Sequence, residues 1–204
     1  MIRIGIIGSI GSGKSFISVL FGYPVFNADH EVKLIYKKNK KCFTKLRKKL
    51  PNFVKTFPIR KRELISAVSS NKKNIKIISS IVHPLVRKKM ESFIKRKKKS
   101  KMIILDIPLL IENKLNKKND IIIFINSKKS KVIGRLKKRR NFSEKLIRSL
   151  KENQLIISKK KKLADYVINN NFSAHIMKKK VKLIKEKILN ERNNSRYWNN
   201  RFIC

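Results

Sequence analysis

Residues Ile2 to Ile7 form a short, largely β-branched run that ends on Gly8-Ser9-Ile10-Gly11-Ser12-Gly13-Lys14-Ser15, a segment that meets G-x-x-x-x-G-K-[ST] at every required position. Few short motifs restrict a fold so tightly. Backbone N–H groups converge on phosphate oxygens where a strand runs into such a loop and a helix leaves it, so the motif presupposes strand, loop and helix in that order. The apolar segment Phe16 to Phe21 supplies the start of the helix. The glycines allow close approach, Lys14 brings a point charge to the β- and γ-phosphates, and the Ser15 hydroxyl is placed to ligate Mg²⁺. Gly11, Ser12, Gly13, Lys14, Ser15 and Phe16 are therefore the expected nucleotide-binding residues. The competing reading, a glycine-rich strand-to-helix turn without ligand, is disfavoured by the order of elements.

The rest of the chain alternates in the same manner. Further strands are expected at Pro24 to Phe26, Met102 to Ile107, Ile121 to Ile125 and Tyr166 to Ile168. Those at 102 and 121 are apolar runs bounded by charge, as strands buried on both faces should be. Five strands with intervening helices predict an α/β chain: a parallel five-stranded sheet, doubly wound, with helices on both faces. Between Glu31 and Lys99 the pattern turns helical, with Leu64, Ile65 and Val68, then Ile77, Ile78, Ile81 and Val82, at helical spacing. This stretch reads as an insertion that covers a substrate. Pro84 is expected to open a helix through about Lys95, because proline at a first helical position loses no needed donor. From Arg135 to Lys162 the chain is basic, with Ser143 as a candidate N-cap for a short helix to Asn153, the pattern of an arm or lid. The expected organisation is a nucleotide-binding core (1–30, 100–135 and 163–190), a helical acceptor-binding insertion (31–99), a basic lid (136–162) and a tail (191–204).

Composition enters through charge. The 204 residues carry 54 Lys and Arg against 12 Asp and Glu, a net charge of +42. Such an excess invites a polyanion partner. Yet Lys, Asn and Ile are over-used everywhere, as in Lys159 to Lys162 and Asn169 to Asn171, and all three have A/T-rich codons. A biased genome places lysine at permissive surface positions, so a compositional origin and a selected basic surface both stand. Non-specific contact with nucleic acid is the most that the charge implies, since no RNA-reading motif accompanies it. Cys42 and Cys204 form neither a disulfide framework nor a zinc spacing, which fits a reducing cytosol. No targeting or membrane-spanning segment is read, and nothing marks an oligomeric state.

Three further sites carry chemistry. Asp29, in Asn27-Ala28-Asp29 just after the second expected strand, should share a crevice with the phosphate loop at the carboxyl ends of the strands. A carboxylate there can take the proton of an attacking hydroxyl, although an N-cap role explains Asp29 equally well. Asp106 closes a strand where a second acidic residue holds the metal directly or through water; a solvated turn carboxylate is its competitor. Arg135 and Arg139, four apart and so on one helical face, can clamp a transferring phosphoryl group, as can Arg140 nearby.

Together these residues resemble the dephospho-coenzyme A kinases, P-loop enzymes. The resemblance runs from Gly8 to about Asn170. The phosphate loop is similar to the family's, with Ser9 where Gly is commoner, and Asn27-Ala28-Asp29 resembles its Asp-Ala-Asp. His83-Pro84-Leu85 resembles its His-Pro motif. Asp106-Ile107-Pro108-Leu109-Leu110-Ile111-Glu112 resembles its most characteristic stretch, Arg135 and Arg139 its lid pair, Gln154 its lid glutamine, and Ala164 to Asn170 its last strand. Lys33 and Lys61 stand where arginine is frequent, which keeps charge and loses the two-pronged grip on phosphate. The resemblance implies transfer of the γ-phosphoryl group of ATP to the ribose 3′-hydroxyl of dephospho-coenzyme A. Asp29 is then the catalytic base, Lys14 and Arg139 stabilise charge, Arg135 contacts the nucleotide, and Ser15 with Asp106 holds Mg²⁺. The alternatives are another nucleoside monophosphate or small-molecule P-loop kinase, and a basic nucleic-acid-binding ATPase.

Overall fold

The first strand, β1 (Ile2–Gly8), lies in the middle of a five-stranded sheet of order β2-β3-β1-β4-β5. Its partners are β3 (Met102–Asp106) and β4 (Ile121–Ser127), with β5 (Tyr166–Asn170) beside β4 and β2 (Val25–Asn27) at the opposite edge. Pairing is parallel, in the registers Ile2 with Met102 to Gly5 with Leu105, Ile4 with Ile121 to Gly8 with Ile125, and Ile123 with Tyr166 to Ser127 with Asn170. This is a computed structural model, and it describes residues 1–71, 73–138 and 154–193.

Helices α1 (Lys14–Leu20), α2 (Ala28–Lys38), α3 (Lys40–Lys49), α4 (Lys61–Ser70), α5 (Lys73–Arg96), α6 (Lys129–Lys137), α7 (Ile157–Lys162) and α8 (Ala174–Asn193) complete the described elements. The chain divides into two compact units, one of Met1–Val25 with Ser100–Cys204, the other Phe26–Lys99. In the first, isoleucines of β1 and β4 pack with Ile17 of α1, with Phe21 just after it, and with Met177, Val181 and Ile188 of α8. The central strands are apolar on both faces because both faces are covered; Ile103 and Ile104 are each fully buried. Arg3 pairs with Asp120: Nη2 donates to Oδ2 at 3.0 Å, and Nε lies 2.9 Å from Oδ1 in the same ion pair.

The second unit is helical, as its sequence spacing predicts. Ile35, Cys42, Leu46, Val54, Ala67 and Val82 form its core. Its connecting segment 55–60 is gathered by one carboxylate. Glu63 Oε1 accepts from the N–H groups of Lys55 and Thr56, each at 3.0 Å, and Oε2 from that of Arg60 at 3.0 Å.

Pro84 does not open a helix. It lies inside α5, which runs unbroken from Lys73 to Arg96. An interior proline removes one backbone hydrogen bond and crowds the preceding turn. The helix continues because Ile77, Ile78, Ile81 and Val82 before it and Leu85 and Val86 after it pack on the same core. Tertiary packing supplies more helical stability than local preference does. The expected helix from Ser143 to Asn153 lies outside the described residues, as do the aromatic residues of the tail. Among the described residues no helix is long and apolar enough to cross a membrane.

Candidate active site

Gly8 ends β1 at the carboxyl edge of the sheet and passes the chain directly into the phosphate loop. The loop closes on itself through Ser12 N–H to Ser9 C=O at 3.2 Å, and α1 starts with Ile17 N–H donating to Gly13 C=O at 3.1 Å. Gly13 is the N-cap, in the left-handed region at φ 91°. Its lack of a Cβ has a second reason: a carbon there would fall 2.5 Å from Nδ2 of Asn170. Gly11, at φ +81°, meets a similar limit from α6, where a Cβ would lie 3.0 Å from Cγ of Leu136. The loop is therefore packed between two neighbouring elements.

Lys14 stretches back across the loop, its ammonium donating to the carbonyls of Ser9 at 2.9 Å and Gly8 at 3.2 Å. Ser15 and Phe16 are exposed on the first turn of α1. The Ser12 carbonyl accepts two side-chain donors, Ser127 Oγ from the end of β4 at 3.0 Å and Asn170 Nδ2 from the end of β5 at 2.8 Å. Ser127 does not stand out in the sequence, and Asn170, though it closes the Ala164 to Asn170 stretch, carries no local mark of this contact, because a short polar side chain at a strand end looks like ordinary turn chemistry.

Asp106 is the last residue of β3 and one position beyond the Gly5–Leu105 pair, so it lies level with β1 just before the loop. It is 4% exposed, which removes the reading as a solvated turn carboxylate. Arg135, exposed on α6, sets its guanidinium over the ring of Phe172 at 4.6 Å. That ring edge is 3.5 Å from where a Cβ on Gly13 would stand, so Phe172 flanks the loop, a residue that no motif marks. Arg139 and Arg140 lie outside the described residues.

The stretch that begins at Asp106 ends in a buried ion pair. Glu112 Oε1 accepts from Lys160 Nζ at 2.8 Å and from the N–H of Leu155 at 3.1 Å, and Lys160 also donates to Gln154 Oε1 at 3.4 Å. Burial pushes the Glu112 carboxyl up, but the hydrogen bonds from Lys160 and the backbone outweigh it and hold the group below the usual carboxylate range. This joins the Asp106–Glu112 segment to the residues that follow 139–153.

In the second unit, Asp29 is exposed in the first turn of α2. The cap of that helix is Asn27, whose Oδ1 accepts from the N–H of His30 at 2.8 Å. Asp29 is thus not the N-cap. Asn27 retains the capping ability of an aspartate at that position, since Asn and Asp cap about equally well. His83 lies on α5, where partial burial and the neighbouring Arg87 guanidinium both lower its pKa.

A family model described as dephospho-CoA kinase matches residues 2–175. The chain belongs to the dephospho-CoA kinase family. Dephospho-CoA kinases are ATP-dependent transferases of coenzyme A biosynthesis. The dephospho-CoA kinase of Wolbachia pipientis wMel is 33% identical over 184 residues, covering 88% of this chain and 94% of the relative. That of Bacillus thuringiensis subsp. konkukian (strain 97-27) is 34% identical over 177 residues, covering 82% and 88%. Among solved structures, dephospho-CoA kinase from Campylobacter jejuni aligns with a TM-score of 0.61 at 25% identity, covering 91% of this chain and 96% of that one. A shikimate kinase from Acinetobacter baumannii aligns at TM-score 0.54 with 15% identity over 94% of each chain, which shows the P-loop kinase fold. Resemblance by motif and membership of the dephospho-CoA kinase family therefore agree over nearly the whole chain.

Proposed function

We propose that this chain transfers the γ-phosphoryl group of ATP to the 3′-hydroxyl of the ribose of dephospho-coenzyme A, giving coenzyme A and ADP. The observation that carries the reading is the phosphate loop, complete from Gly8 to Ser15 at the end of the central strand of a dephospho-CoA kinase fold. The loop N–H groups and the start of α1 favour phosphate charge, and the Lys14 ammonium, already on the loop, neutralises charge on the γ-phosphoryl group as it leaves ADP. Arg135 binds the nucleotide beside Phe172, and Arg139 stabilises the phosphoryl group in flight.

Ser15 and Asp106 fit Mg²⁺ by their chemistry. Among the described residues no cluster of three His, Cys, Asp or Glu could cage a metal, whereas a hydroxyl and one carboxylate suit an ion that keeps waters and shares phosphate oxygens. When bound with ATP, Mg²⁺ supplies charge neutralisation across the phosphates. Asp29 takes the proton of the attacking hydroxyl; its support is an exposed carboxylate not spent on capping α2. The helical unit 31–99 holds the acceptor, and 136–162 serves as the lid.

The test is ATP turnover with dephospho-coenzyme A beside other nucleosides, nucleotides and RNA. Rapid turnover confined to dephospho-coenzyme A is expected. Preference for a different small acceptor would replace the substrate assignment, and stimulation by RNA would favour a nucleic-acid-dependent ATPase.

A further inference from the structure

The Ser12 carbonyl is held from two strands at once. Ser127 Oγ donates to it at 3.0 Å and Asn170 Nδ2 at 2.8 Å, and Asn170 is itself only 4% exposed. The other end of the Asn170 amide is also fixed, since Oδ1 accepts from the N–H of Phe172 at 2.8 Å. A buried amide engaged at both ends has one orientation, and the carbonyl it grips has little freedom to turn.

A trans peptide is planar, so the C=O of Ser12 and the N–H of Gly13 point in opposite directions. Holding the carbonyl toward the ends of β4 and β5 therefore aims the Gly13 N–H away from them. The peptide would otherwise be easy to turn, because Gly13 at φ 91° has no side chain to resist rotation. If it turned, the Ser12 carbonyl oxygen would face the side that the N–H now faces. Anion binding would then meet a negative dipole in place of a donor.

We propose that Asn170 and Ser127 are positioning residues for ATP, which fix the Ser12–Gly13 peptide so that its N–H faces the phosphates. The proposal rests on the reading of residues 8–15 as the ATP site. It assigns part of ATP affinity to two residues more than a hundred positions beyond the loop. They act through their hydrogen bonds to the loop, so their effect should appear in phosphate binding and not in acceptor binding.

Asn170→Asp keeps the shape and the acceptor for Phe172 N–H, and replaces the donor to Ser12 with an oxygen. Ser127→Ala removes one donor alone, and Ser127→Thr restores a hydroxyl. The measurements are direct ATP binding by calorimetry, KM for ATP and for dephospho-coenzyme A, and thermal unfolding. Loss of one neutral hydrogen bond predicts about a 3- to 10-fold weaker ATP affinity for Ser127→Ala, and a donor turned to a repelling oxygen about 10-fold or more for Asn170→Asp. KM for dephospho-coenzyme A should stay within about 2-fold, and Ser127→Thr should recover ATP affinity.

The inference is overturned if ATP affinity is unchanged in the folded variants. It is equally overturned if both KM values rise together with loss of thermal stability, the outcome of a purely structural role. Should Asn170→Asp fail to fold, the Ser127 pair decides by the same measurements. A wild-type chain that binds no ATP would overturn the nucleotide reading together with this one, whereas ATP binding that both variants retain would overturn this one alone.

Discussion

Lys160 and Glu112 pair at 2.8 Å with side chains only 4% and 11% exposed, so a lysine from the run Lys159 to Lys162 is an interior residue. Removing one member of a buried pair leaves an uncompensated charge, which costs roughly 3–5 kcal/mol, whereas replacing both by apolar residues is often neutral. Lys160→Met should therefore unfold at a markedly lower temperature, and Lys160→Met with Glu112→Met should recover most of the loss. Calorimetry on the three chains checks this; equal stabilities of the single variant and wild type would show the pair to be energetically idle.

The pair also sets an acid limb of stability. The Glu112 carboxyl titrates lower when folded than when unfolded. Its contribution is then complete above the unfolded value of about 4.3 and is lost as pH falls through the lower folded one. The difference in melting temperature between wild type and Glu112→Gln should be constant near neutrality and shrink below about pH 4. A difference that grows on acidification would contradict the assignment.

Lys14→Ala should abolish phosphoryl transfer with the fold intact, because the lysine acts on phosphate charge whereas the loop is built from backbone. Turnover beside circular dichroism tests it. Activity within a few-fold of wild type would remove Lys14 from the chemistry.

Asp29→Asn keeps shape and removes the base. General-base catalysis contributes about 10²–10⁴-fold, so turnover should fall by at least the lower figure while ATP binding is unchanged. Because Asn27 caps α2, thermal stability should barely move. A large stability loss with normal turnover would mean that Asp29 serves the helix.

The net charge of +42 should bind RNA and DNA without sequence preference. Neutralising six to ten phosphates predicts a loss of about 10³–10⁵ in affinity between 50 and 200 mM salt. Turnover should be indifferent to added nucleic acid. Titrations with several RNAs across a salt series would expose a specific site as a preference that survives high salt.

Much of this architecture is legible in the residues because its parts are local. A strand buried on both faces must be apolar throughout, so β3 and β4 announce themselves, and the phosphate loop needs its glycines and lysine at fixed offsets. Less legible is whatever depends on partners distant in sequence. Lys160 resembles its three neighbours until Glu112 is seen beside it; Asn170 resembles Asn169 until the Ser12 carbonyl is located. Pro84 misleads for a related reason: the apolar residues on its two sides belong to one packed face, and that packing overrides a local stop signal. Asn27 and Asp29 are equally good caps on paper, and helix geometry alone chooses between them.

The position of β1 has a consequence for how the molecule comes into being. It is made before both of its neighbours: Ile2 pairs with Met102 and Ile4 with Ile121, so neither neighbour exists until the segment 26–99 has been synthesised. An apolar strand with two unsatisfied edges must wait through that interval, and non-local pairing of this kind is slow and exposed to aggregation. The helices of 26–99, whose contacts are local, have time to assemble before the sheet can close. Translation speed and chaperone supply, more than the strength of the finished core, should thus govern the yield of active enzyme.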